Sequence, residues 1–258
     1  MQNTAFRRGA VAASAVSLAL LLSACGGDDK KDDAAKGDTK KSDAKSAPAK
    51  TQAELDKLIV ASADVKPMTS EARPASEVAD AQVATSDKAE CTALSKLMVG
   101  GTPGEPKALV IRRVSDPMPK EGEKKADNPE DEAKAALEAL EKMKSMTMNQ
   151  VGLGSYEGDG AEKAMADLKQ AGEKCAAGFT SKVKSDSTKV NKVTADTYTG
   201  GDESLAYTLV SEAEGMKMSV PVVAVRKGNE VFTVVSINLS GKGEMPKAIV
   251  DAQLKKLG

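Results

Sequence analysis

The last third of the chain does most to restrict its fold. Three segments, 205–212, 216–226 and 230–239, are rich in Val, Ile, Phe and Thr and lie only a few residues apart. Within them Val222-Val-Ala-Val-Arg226 and Val231-Phe-Thr-Val-Val235 flank Lys227-Gly228-Asn229-Glu230. Two β-prone runs separated by a Gly-Asn pair predict a hairpin with a tight turn. Strands joined so closely pair antiparallel, because a parallel return needs a crossover of a dozen residues or more. Upstream, Thr51-Gln-Ala-Glu54 has the form of a capping box and opens a short helix through Val60. The spacing of apolar residues predicts helices near 87–99, 130–144 and 159–175, and strands at 108–114 and 146–156. The 130–144 helix carries Ala133, Leu137 and Leu140 on one face. Between the first of these strands and that helix, 115–130 holds Pro117, Pro119 and Pro129 and reads as a long exposed loop. Pro246 starts a final helix whose Val250, Leu254 and Leu257 turn to the sheet. The expected class is α+β, an antiparallel sheet with helices packed mainly on one face.

Composition narrows the function. The chain holds 37 basic and 38 acidic residues, a net charge of -1, so no basic excess exists to displace counterions from nucleic acid. It has no His and no Trp, which removes the commonest general base and a common metal ligand. Three Phe and three Tyr are too few for a base-stacking platform. No catalytic residue, metal or cofactor is assigned, and the chain is not expected to be an enzyme.

Four motifs need weighing against that expectation. Gly152, Gly154 and Gly158 fall between a strand and a helix, as in dinucleotide loops. The fingerprint, however, needs its third Gly where Glu157 stands, and an acid there repels phosphate. Ser181-Lys182-Val183-Lys184 matches Ser-x-x-Lys, but in a strand or loop its ends point to opposite faces. The acids at 127–132 and 202–203 lack the alternating oxygens of a Ca²⁺ loop and read as solvated surface. Met143, Met146, Met148, Met165, Met216 and Met218 form either core filling or an adaptable surface for apolar ligands, with core filling favoured.

The N-terminus supplies an address. Arg7 and Arg8 precede an apolar run, 10–22, too short to span a bilayer and suited to a secretory signal. The run ends in Leu22-Ser23-Ala24-Cys25-Gly26, which resembles the lipobox of bacterial lipoprotein precursors. That resemblance implies a signal peptide over 1–24, cleavage between Ala24 and Cys25, and a diacylglycerol on the Cys25 thiol, with palmitate among its acyl groups. Residues 25–50 then form a tether of Asp, Lys, Ala, Gly and Ser. Such a stretch buries too little apolar surface to repay its ordering entropy. A single domain occupies 51–258, held at the cell membrane and facing its extracytoplasmic side.

With Cys25 lipidated, Cys91 and Cys175 remain, and an even pair in an oxidising compartment is read as a disulfide. Each lies on an apolar stripe: Cys91 with Leu94 and Met98, Cys175 with Ala164, Met165 and Leu168. The order of elements, with Ser155-Tyr156 leading into the helix that ends at Cys175-Ala-Ala-Gly178-Phe179, is similar to the PknH-like extracellular sensor domain of actinobacterial kinases and lipoproteins. The resemblance spans about 51–258 and implies a non-enzymatic, sensor-like or ligand-binding domain; ligand-binding residues remain unassigned. The alternative is a carrier of a lipid or other apolar molecule across the cell envelope. The expected partner is accordingly a small apolar ligand or a surface protein, besides the membrane itself. Labelled palmitate should enter the protein and be lost from a Cys25→Ser variant, whereas label retained on that variant would overturn the anchor.

Overall fold

Strands 216–227 and 230–238 carry apolar residues at consecutive rather than alternate positions, so both of their faces demand cover. The architecture answers that demand. The computed structural model describes residues 48–117, 128–213 and 216–258. The signal peptide, the Ala24–Cys25 cleavage site, Cys25 and nearly all of the tether lie outside the described residues, as does most of the Pro-rich loop. In chain order the elements are α1 (Gln52–Leu58), β1 (Thr69–Ala72), α2 (Ala75–Gln82), β2 (Thr85–Ser86), a 3-10 turn (Ala89–Cys91), α3 (Thr92–Met98) and β3 (Ala108–Ser115). There follow α4 (Pro129–Ser145), β4 (Thr147–Ser155), α5 (Gly160–Lys174), β5 (Phe179–Val183), β6 (Asp186–Asp196), β7 (Glu203–Ala213), β8 (Met216–Lys227), β9 (Glu230–Asn238) and α6 (Lys247–Leu257). The strands form one nine-stranded sheet in the order β1-β3-β4-β9-β8-β7-β6-β5-β2. Every pairing within it is antiparallel.

The α+β class, the antiparallel sheet and the disulfide agree with the expectation; the placement of helices on mainly one face does not. On one face Val222, Ala224 and Val235 pack with Leu94 and Leu97 of α3 and Met165 and Leu168 of α5. On the other, Val223, Val225, Phe232 and Val234 pack with Leu55 of α1 and Ile249 and Val250 of α6. The reason is the uninterrupted apolar run in β8 and β9, which a sheet wetted on one side would leave exposed.

Local signals explain the individual elements. The Thr51–Glu54 capping box closes as read, the Glu54 carboxylate accepting from the Thr51 N–H at 2.8 Å. Gly228-Asn229 forms the β8–β9 turn, with Gly228 at φ +60° where a side chain is disfavoured. Just before residue 51, Lys50 Nζ donates to Glu230 Oε1 at 2.6 Å. On the α1–α6 face the buried Gln253 amide accepts from the Val60 N–H and donates to the Leu58 carbonyl, capping the end of α1. Helix α4 differs in kind: its apolar side stays open, with Leu137 62% and Leu140 44% exposed. Among the described residues no helix is long and apolar enough to cross a membrane.

Cys91 and Cys175 form a disulfide, with Cα atoms 5.9 Å apart and both residues fully buried. It joins the turn before α3 to the C-cap of α5. Closing so long a loop restricts the unfolded chain and contributes on the order of 4 kcal/mol in the chain-entropy account. A Cys91→Ala, Cys175→Ala variant should therefore lose about 2–5 kcal/mol in urea unfolding. Rapid thiol labelling of the native protein without denaturant would overturn the bridge.

Candidate ligand groove

The face of the sheet that carries α3 and α5 is not fully covered. Beyond α3 a cavity of about 550 Å³ opens between the sheet and the elements α2 and α3. Register explains its floor, because residues two apart along a strand share a face. Ser181 on β5 pairs with Thr188 on β6, Ser211 on β7 pairs with Met218 on β8, and Gly152 on β4 pairs with Ile111 on β3. All but Gly152 line the cavity, together with Val220, Ile237 and Gln150 from the strands between. Met98 and Val99 at the end of α3 and Ala81 of α2 form the wall.

That wall stands where it does because of a backbone contact. The turn after α3 lies directly on β4, and the buried Thr233 hydroxyl donates to the Gly101 carbonyl at 2.9 Å. A Cβ at Gly152 would come within 2.1 Å of the Gly100 carbonyl oxygen, so only glycine admits the turn. At the other end of α3 the disulfide fixes Cys91 to α5.

The rim is charged and mostly paired. Arg73 bridges Glu77, one helical turn away, and Lys184 reaches Asp80 at 2.8 Å. Burial lowers the Arg73 pKa, and the neighbouring Arg113 charge adds to the effect. Asp186 stands exposed at the mouth. Inside, the polar groups are neutral. Ser181 is 4% and Ser211 6% exposed, and neither hydroxyl has a hydrogen-bond partner among the described residues. Nearby, Tyr156 shows the contrasting case of a satisfied buried group. Its hydroxyl donates to the Pro103 carbonyl at 2.5 Å and meets the Thr102 hydroxyl at 2.8 Å, while burial raises its pKa.

The sequence motifs fall into place around this geometry. Gly152 and Gly154 lie inside β4 rather than in a strand-to-helix turn, and the turn itself holds only Gly158. Ser181 lines the groove, but Lys184 is bound to Asp80 on the rim instead of serving as its base. Of the methionines, Met218 lines the cavity and Met165 is core, while Met143 and Met216 are exposed. Met98, which the cysteine stripe included and the methionine set did not, is the second thioether in the groove. Cys91 and Cys175 act through structure and do not line it. Glu203 and Asp202 pair with Arg226 at the β7–β8 end. Ser181 on β5, half of the Ser-x-x-Lys match, and Ser211 on β7 share a face that becomes visible only through register.

No family model matches the chain, and no curated protein matches it. Among solved structures, the extracellular domain of PknH from Mycobacterium tuberculosis is similar over 82% of this chain and 96% of that one, at 15% identity and a TM-score of 0.42. The likeness is distant and brings no ligand residues to this chain.

Replacing Gly152 by Ala should push the α3 turn off the sheet, costing about 1–3 kcal/mol as an overpacked contact does. Urea unfolding reads this directly, and an unchanged midpoint would refute the close approach.

Proposed function

We propose that this protein is an exported, lipid-anchored binding protein of the cell membrane. Its extracytoplasmic domain holds a small apolar molecule without altering it chemically. The groove carries this reading. A concave site of about 550 Å³ with an apolar floor and a few inward polar groups has the general form of a small-molecule site. A protein-docking module has less use for a recess of that volume. Export is supported by the disulfide, which persists in oxidising compartments, and by the Arg-led apolar run ending in Ala24-Cys25.

Binding without catalysis is favoured because the groove serines have no base within hydrogen-bond reach and the chain has no His. A sensor-like role fits a recess that opens at the surface, with Arg73, Glu77, Asp80 and Asp186 at its rim. A second reading, a carrier, draws on the same cavity and differs only in releasing its cargo to an acceptor membrane.

Native mass spectrometry of the domain, residues 51–258, purified from its own kind of cell and compared with the denatured protein, tests the reading. A reproducible extra mass lost on denaturation is expected. A bare polypeptide mass, lower by two protons for the disulfide, would overturn it in favour of a surface protein-interaction module.

A further inference from the structure

We propose that the groove selects an uncharged amphiphile: an extended apolar chain joined to hydroxyl, ester or amide groups, with neither a carboxylate nor an ammonium. This rests on the groove being the ligand site.

The first argument comes from the two serines. A hydroxyl that opens on a cavity without a partner in the protein is free to donate to, or accept from, whatever enters it. Here Ser181 and Ser211 are little exposed as residues, yet their hydroxyls open on one cavity and have no protein partner among the described residues. The Gln150 amide at the same cavity likewise has none. Two hydroxyls and an amide, able to donate and accept, suit a ligand carrying neutral oxygen or nitrogen groups.

The second argument is charge. Arg73 is the single cation lining the cavity, and Glu77 already neutralises it. Among the described residues that line the cavity no cation is left unpaired to receive a carboxylate or phosphate, Arg113 beside Arg73 not being one of them, and the Asp186 carboxylate at the mouth repels one. An ammonium fares no better. Asp80 is taken by Lys184, and Asp186 is exposed, where an ion pair contributes about 0–1 kcal/mol. Drawing a charge inside without a buried counter-ion costs far more than that.

The third argument is shape. The floor crosses the adjacent strands from β3 to β5, roughly 29 Å at the usual strand spacing. It carries Ser181, Thr188 and Ser211 over β5–β7, beside Val183, is apolar over β8 and β9 with Met218, Val220 and Ile237, and turns polar again at Gln150 of β4. A long molecule with an apolar stretch flanked by neutral polar groups matches that order.

The test uses full-length protein in membrane vesicles and three photoreactive probes of equal chain length: a monoacylglycerol, a fatty acid and an alkylammonium. The monoacylglycerol should crosslink peptides bearing Met98, Met218 and Ile237 at least tenfold more than the other two. A Ser181→Ala, Ser211→Ala variant should lose about tenfold of that labelling, the worth of two neutral hydrogen bonds. Its thermal midpoint should stay equal or rise, since the hydroxyls hold nothing in the protein. If the fatty acid or alkylammonium labels the groove as well or better, the selectivity for a neutral ligand is overturned while the groove remains the site. If the double variant labels like wild type, the inference also fails. If no probe labels the groove, the reading of the groove as a ligand site falls with it.

Discussion

Two strands buried on both faces set the terms for the rest of the molecule. In β8 and β9 the apolar residues run without the polar alternation that would let one face meet water, so each face recruits its own helices. Fully burying one Val contributes about 1.5–3 kcal/mol, and the two strands bury Val222, Val223, Val225, Val231, Val234 and Val235. The outer strands have no such need. In β6 only Val190 and Val193 are buried.

The groove is the part of one face that this cover does not reach. Its wall, α3, is only seven residues long and is held at both ends by unlike means. A covalent bridge joins its start to α5. Its far end rests on the sheet through a contact that works only because Gly152 has no side chain. A short helix fixed in this way is a rigid wall, so the shape of the recess is set before any ligand arrives, which reduces the ordering cost of binding.

Much of this was legible in the sequence, and the gaps have physical causes. The β8–β9 hairpin, the capping box at Thr51, the final helix and the cysteine pairing all depend on local pattern or simple counting, and the structure has them. The two-sided sheet was written in the unbroken Val222–Val225 run, but tight antiparallel turns drew the reading towards one face. Strand β6 escaped because Ser187, Thr188, Lys189 and Asn191 make it look like a loop; its pairing energy comes from neighbours distant in sequence. The groove was least legible of all. Ser181 and Ser211 are ordinary serines until register turns both to one face, and register is a property of the sheet, not of either segment.

The sheet also ends carefully. Its outermost strands are β1, four residues with Glu71 among them, and β2, only two residues long. A long unpaired edge offers its backbone donors and acceptors to any neighbouring chain, and short edges interrupted by charge withhold them. Copies of such a protein can therefore crowd together at high concentration without their sheets fusing into one.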